Sequence, residues 1–204
     1  MAASIARPQV PAGTTALVVT ASDRSAAGDR PDSSGAAVAA RLAEIGFDVQ
    51  RTIVPDDVGA IEAALLEGAA AHRLIVTTGG TGLTPRDVTP QATLAVVDYE
   101  IPGLAEAMRA EGRRHTPLAD LSRAVVGVRQ ATLIVNLPGS PSGATQSLDA
   151  IIATLPHALE TLSGPFDHQA RGLAPAGDPA HHHGTAPSTE RLAGAQPSEP
   201  EDAD

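Results

Sequence analysis

Three glycines fall within four residues, Gly79, Gly80 and Gly82, with Thr81 among them, directly after the run Leu74-Ile75-Val76-Thr77-Thr78. Successive glycines let backbone N–H groups converge on an anion and accept positive φ. Asp87 follows closely. A carboxylate just past a phosphate nest suits a magnesium ion, which takes one or two carboxylates plus phosphate oxygens. Thr89-Pro90 then reads as an N-cap followed by proline at the first helical position, so a helix dipole opens just beyond the loop. Strand, nest, acid and helix start in this order describe a phosphate-handling site at the end of a parallel strand, where open α/β sheets bind ligands.

Other residues have chemistry to offer. Asp56 follows a second apolar run and is the matching partner for Asp87, while Asp57 is expected to cap the next helix. Asn136, Pro138, Gly139 and Ser140 form a second turn after an apolar strand; Asn and Ser can bond a heterocycle edge or a phosphate, and Gly allows close approach. Asp23 is open to a role bridging a backbone turn, and Asp32 to one as a helix N-cap ahead of Ser33 and Ser34. Glu106 is either a solvated acid or a partner for Arg109 one turn on. Arg123 reads as half of a structural ion pair. His181-His182-His183 lies in a Pro/Gly/Ala-rich stretch without partner ligands at structural spacing, so it reads as an incidental metal scavenger.

Absences narrow the chemistry. The chain has no cysteine, and its 14 basic residues are all arginine. Thiol nucleophiles, disulfides, zinc–thiolate sites and iron–sulfur clusters are excluded, as are a Walker-A lysine, a Schiff base and a lysyl-adenylate. Phosphate chemistry must therefore run on amides, hydroxyls, arginine, carboxylates and a metal ion. A formal charge of −10 opposes nonspecific nucleic-acid binding. No apolar run approaches the ~20 residues of a membrane span, and the N-terminus shows no signal-peptide core, so a cytoplasmic protein is expected.

These groups must be held by a scaffold, and 204 residues with 42% hydrophobic and 1% aromatic content suit one domain whose core is Ala, Val, Leu and Ile. Residues 1–13 are expected to be a flexible leader. Ala16–Thr20, Val49–Val54 and Leu74–Thr78 read as strands. Val38, Leu42 and Ile45, and then Val58, Ile61, Leu65 and Leu66, repeat at helical spacing between them. Strand–helix alternation of this kind builds right-handed βαβ units on a parallel sheet. A helix from Thr89, a Pro102-Gly103 break and a helix through Met108 follow. Ala124–Val128 and Thr132–Val135 read as two strands, an antiparallel edge of the sheet. Leu148 to Leu162 predicts one long helix kinked near Pro156. Residues 165–204 are acidic, rich in Pro, Gly and Ala, aperiodic and expected to be disordered.

The glycine segment, followed by Pro85-Arg86-Asp87-Val88-Thr89-Pro90, resembles the signature of the molybdopterin-binding, MogA/MoaB-type molybdenum-cofactor family. Six further segments stand in the family's order: Ser22-Asp23-Arg24, Asp32-Ser33-Ser34-Gly35, Val54-Pro55-Asp56-Asp57, Ile101 to Glu106, Leu121-Ser122-Arg123 and Asn136 to Pro141. The resemblance covers roughly residues 14–164. It implies a three-layer αβα sandwich around a mostly parallel sheet with an antiparallel edge. It also implies Mg-ATP-dependent adenylylation of molybdopterin, with release of pyrophosphate. Asp56 and Asp87 would act together as catalytic residues and as ligands of Mg²⁺. Ser22, Asp23, Asp32, Ser34, Gly35, Thr78, Gly79, Gly80, Thr81, Gly82, Asn136, Pro138, Gly139 and Ser140 would line the site for ATP and molybdopterin. A homotrimer is implied, with a hexamer as the alternative assembly, and a downstream molybdenum-insertion protein as a partner. A non-catalytic molybdopterin-binding or carrier protein of the same fold is the competing reading.

Overall fold

The computed structural model describes residues 9–164. The C-terminal stretch with its histidine run, and residues 1–8 of the expected leader, lie outside the described residues. Within that leader, Val10 is already part of the core, and its amide donates to the Ile45 carbonyl at 3.0 Å.

The strands are β1 (Thr15–Ala21), β2 (Asp48–Val54), β3 (Leu74–Thr78), β4 (Tyr99–Glu100), β5 (Val126–Arg129) and β6 (Thr132–Leu137). The helices are α1 (Asp23–Ala26), α2 (Ser33–Ala43), α3 (Val58–Ala71), α4 (Thr89–Val96), α5 (Pro102–Arg113), α6 (Pro141–Ile151) and α7 (Leu155–Leu162), with a 3₁₀ turn at Pro117–Leu121. The sheet order is β2-β1-β3-β6-β5-β4. The first four strands in that order run parallel, and β5 is antiparallel to both of its neighbours.

Strand alternation sorts the core into two layers. Ala16, Val18, Leu74, Val76, Leu133, Val135 and Leu137 point to one face, where they meet Val38 and Leu42 of α2, Met108 of α5, Leu148 and Ile151 of α6 and Leu159 of α7. Leu17, Val19, Ala21, Ile75 and Ile134 point to the other, against Ile61 and Leu65 of α3 and Ala92 and Val96 of α4. Both faces of the central strands are covered, which is why their sequences read as unbroken apolar runs.

Three details differ from the sequence expectation. The closing helix is two helices: α6 stops at Ile151, and Pro156 sits in the first turn of α7, where its missing N–H costs nothing. Thr89 does not cap α4; Val88 holds that position without a side-chain bond, while the Thr89 hydroxyl donates to the Gly79 carbonyl at 2.9 Å. The antiparallel edge ends in β4, a two-residue strand pairing Tyr99 with Val128 and Glu100 with Gly127.

The register brings the functional loops level. Ala21 stands beside Val54, Thr20 beside Thr78, and Thr78 beside Leu137. β1 feeds α2 on one face and β3 feeds α4 on the other, so the connections diverge between β1 and β3. A crevice at the carboxyl ends of strands forms at such a switch point.

Candidate functional site

The glycine loop is fixed by close contacts that only glycine permits. Gly79 has φ +97° and Gly80 φ +63°, both left-handed. A Cβ on Gly79 would come within 2.3 Å of the Ala21 carbonyl oxygen, and one on Gly80 within 2.4 Å of Thr89 Oγ1. The loop is thereby pressed between the end of β1 and the start of α4. Among the described residues the amides of Gly80 and Thr81 have no hydrogen-bond partner, so they remain available to an anion.

Asp87 folds back on the same loop. Its Oδ2 accepts from the Thr84 amide at 2.8 Å, and a Cβ on Gly82 would sit 3.0 Å from that oxygen. Partial burial pushes the Asp87 carboxyl up, but the Thr84 hydroxyl and amide, the Gly82 amide and the charge of Arg123 together hold it below its ordinary value. Arg123 braces the loop from outside. Its Nε donates to the Gly82 carbonyl at 2.7 Å and its Nη2 to the Asp87 carbonyl, while its own amide donates to the Thr81 carbonyl at 3.0 Å. It works through carbonyl oxygens and not through the ion pair expected of it.

Asp56 meets Asp23. The Asp23 amide donates to Asp56 Oδ2 and the Asp56 amide to Asp23 Oδ1, each at 3.0 Å, so the loops after β1 and β2 are cross-linked. Arg86 donates to Asp23 Oδ2. That bond first, and the Asp56 amide second, hold the Asp23 carboxyl below its ordinary range. Sequence reading singled out neither Arg86 nor its pairing, which spans 63 positions of chain. Asp57 caps α3 as expected, accepting from the Ala60 amide at 2.9 Å.

Several of the expected ligand residues also make contacts within the scaffold. Asn136 is fully buried; its Nδ2 donates to Thr77 Oγ1 at 3.0 Å and Thr93 Oγ1 at 2.8 Å, and its Oδ1 accepts from the Val125 amide at 3.2 Å. The Thr78 hydroxyl donates to the Pro138 carbonyl at 2.9 Å, tying the end of β3 to the turn after β6. Asp32 caps α2 through the Gly35 amide at 2.8 Å and pairs with Arg51 at 2.7 Å. A Cβ on Gly35 would clash with Asp32 Oδ2 at 2.3 Å and Thr20 Oγ1 at 2.4 Å, so this glycine lets the helix start lie against β1. Ser22 caps α1, accepting from the Ser25 amide at 3.2 Å. Glu106 is exposed, and Arg109 turns away from it to the Ala124 carbonyl at 3.2 Å.

Two recesses flank the turn Pro138-Gly139-Ser140. The first, about 300 Å³, is walled by Thr81 and Gly82 of the glycine loop, Met108 and Arg109 of α5, the 3₁₀ turn, Asn136 of β6 and Gln146 of α6. The second, about 310 Å³ and more polar, is lined by Ser25, Arg30, Asp32, Ser33, Ser34, Gly139 and Pro141. Ser140 borders both. A Cβ on Gly139 would sit 3.2 Å from the Gly79 Cα, so this turn packs directly on the glycine loop.

Asp56 and Asp87 fit a magnesium ion by their donor chemistry: both are carboxylates, the hard oxygen donors that this ion prefers. Among the described residues no cluster of three or more His, Cys, Asp or Glu could hold a metal by itself, so the remaining ligands would come from substrate phosphate and water.

Comparison with known proteins places these features in a family. The family model described as "Probable molybdopterin binding domain" matches residues 17–157. The molybdopterin adenylyltransferase of Helicobacter pylori (strain J99) is 36% identical over 154 residues, covering 73% of this chain and 88% of the relative. That of Escherichia coli K12 is 36% identical over 166 residues, covering 73% and 85% respectively. The crystal structure of the molybdopterin biosynthesis enzyme MoaB from Thermus thermophilus superposes with a TM-score of 0.69 at 46% identity, over 74% of this chain and 98% of that one.

Proposed function

The chain belongs to the molybdopterin-binding domain family, and from that premise we propose that it is a molybdopterin adenylyltransferase of molybdenum-cofactor biosynthesis. The terminal phosphate of molybdopterin attacks the α-phosphorus of ATP. A new P–O bond forms, the bond to the β-phosphate breaks, and pyrophosphate leaves with adenylylated pterin as the other product. The carrying observation is that two recesses of similar volume meet at Ser140, beside a glycine loop with unpaired amides. A group-transfer reaction needs two substrates side by side with their reacting ends at one point, and this arrangement supplies it.

The residues divide the work. The Gly80 and Thr81 amides donate to phosphoryl oxygens where negative charge accumulates. Arg123 and Thr89 hold the loop in that shape before substrate arrives. Asp56 and Asp87 would hold Mg²⁺, which supplies neutralisation of the polyphosphate charge. No side-chain nucleophile is needed, in keeping with a chain that has neither cysteine nor lysine.

The proposal extends to assembly and place. Leu118, Leu121, Leu83 and Tyr99 are exposed apolar side chains available for burial between copies, and a homotrimer is the assembly we propose, with hand-over of the product to a molybdenum-insertion protein. Among the described residues no helix is long and apolar enough to cross a membrane, and we assign the protein to the cytoplasm. The test is incubation of purified protein with molybdopterin and Mg-ATP. Adenylylated pterin and pyrophosphate in equal amounts are expected; tight pterin binding without ATP consumption would mark a carrier.

A further inference from the structure

We propose that the polar recess between the first turns of α2 and α6 is a phosphate subsite, with Arg30 as its cation and Ser25 as its buried hydroxyl donor. This rests on the two-substrate reading above and gives one of its recesses a chemistry.

Four observations converge on it. Ser25 lines the recess and is 8% exposed, yet its hydroxyl has no hydrogen-bond partner. A buried hydroxyl left unpaired is costly, and one bordering a cavity gains its partner when a ligand enters. Arg30 also lines the recess, and its one hydrogen bond is a 3.3 Å contact to Ser22 Oγ. It meets no carboxylate, unlike Arg41, Arg51, Arg86, Arg113, Arg114 and Arg129, which all form ion pairs.

Two eleven-residue helices also begin at this recess. Ser33 and Ser34 open α2, and Ser140 and Pro141 open α6. Each helix start carries positive partial charge. The Ser34 amide is left open by the Asp32 cap. Asp32 is the one acid in the lining, and its charge is already met: its side chain is 2% exposed and bound to Arg51 and the Gly35 amide. The recess is therefore a pocket of net positive potential in a chain of formal charge −10.

A phosphate or pyrophosphate group matches this donor set. Either substrate of the proposed reaction could present it: the β,γ end of ATP or the phosphate of the pterin. The test titrates inorganic pyrophosphate into the full-length protein by calorimetry in metal-free buffer. Arg30→Gln is expected to weaken binding about tenfold, and Ser25→Ala to weaken it severalfold, because bonds to a charged group exceed neutral ones. Arg41→Gln, which removes the same charge from the far end of α2, is expected to leave binding unchanged. Undiminished pyrophosphate binding in Arg30→Gln overturns the proposal, as does an equal loss in Arg41→Gln, which would mean attraction to overall charge. Because this readout needs no turnover, it stands or falls separately from the adenylylation reading. The source of the phosphate follows from steady-state kinetics of Arg30→Gln: a raised KM for ATP alone assigns the nucleotide, and a raised KM for molybdopterin alone assigns the pterin. Unchanged KM for both would overturn a role in catalysis.

Discussion

Asn136→Ala separates a scaffold residue from a ligand residue at the centre of the site. In the wild-type chain the Asn136 amide makes three hydrogen bonds in a fully buried position, to Thr77, Thr93 and Val125. Truncation leaves the Val125 N–H without its acceptor, a buried unsatisfied donor that costs about 1–3 kcal/mol. The two donated bonds to threonine hydroxyls add about 1 kcal/mol each, net of solvent exchange. The expected loss is therefore about 3–5 kcal/mol, a large share of the ~5–15 kcal/mol that holds a typical domain. For a domain of this size it corresponds to a fall in Tm on the order of 10 °C. Urea denaturation and thermal melts measure the stability, and steady-state kinetics at a temperature well below the lowered Tm measure the site. The folded fraction is expected to keep a near-normal KM for molybdopterin. A variant with wild-type stability and a KM raised tenfold or more would refute this account and return Asn136 to the ligand.

Asp87→Asn keeps an oxygen for the Thr84 amide but removes one ligand charge, and is expected to lower turnover by about 10²–10³ while pterin binding largely survives. Asp56→Asn should act alike, and the double variant should lose less than the product of the two effects if both acids serve one ion; pyrophosphate release measures all three. Gly79→Ala must place a Cβ within 2.3 Å of the Ala21 carbonyl at a φ of +97°, so melts are expected to show a loss of several degrees together with loss of turnover. On pH, Asp87 and Asp23 both lie below their ordinary carboxylate values in the folded chain. Their stabilising contribution is complete above the unfolded carboxylate value and is lost only as pH falls through the lowered folded values. Acid titration of folding should therefore stay flat from neutrality to about pH 5, with these losses beginning below about pH 4.

The parts of the fold that depend on local pattern were legible. The apolar runs of β1, β3 and β6 announced central strands, and Asp57 announced the start of α3, because a helix cap is a three-residue affair. The glycine loop was legible for the same reason: its conformations are encoded in its own residues. β4 was not, since two residues carry no periodicity and its pairing with Gly127 and Val128 is set by the sheet. The hydrogen bonds of Asn136 were not legible, because an Asn at a strand end looks free until the β3–β6 register brings Thr77 beside it. The Asp23–Asp56 cross-link and the Arg86–Asp23 pair join loops far apart in sequence, so each residue type was visible while its partner was not.

The central claim is that one chain transfers an adenylyl group from ATP to the pterin. Its most direct test uses ATP labelled at the α-phosphate in one reaction and at the γ-phosphate in another, each with purified protein, Mg²⁺ and molybdopterin in a single turnover. The account predicts the α-label on the pterin and the γ-label in pyrophosphate, in equal amounts, with both signals falling about 10²–10³ in Asp87→Asn. A γ-label released as inorganic phosphate, or a pterin that stays unlabelled while bound, would contradict it.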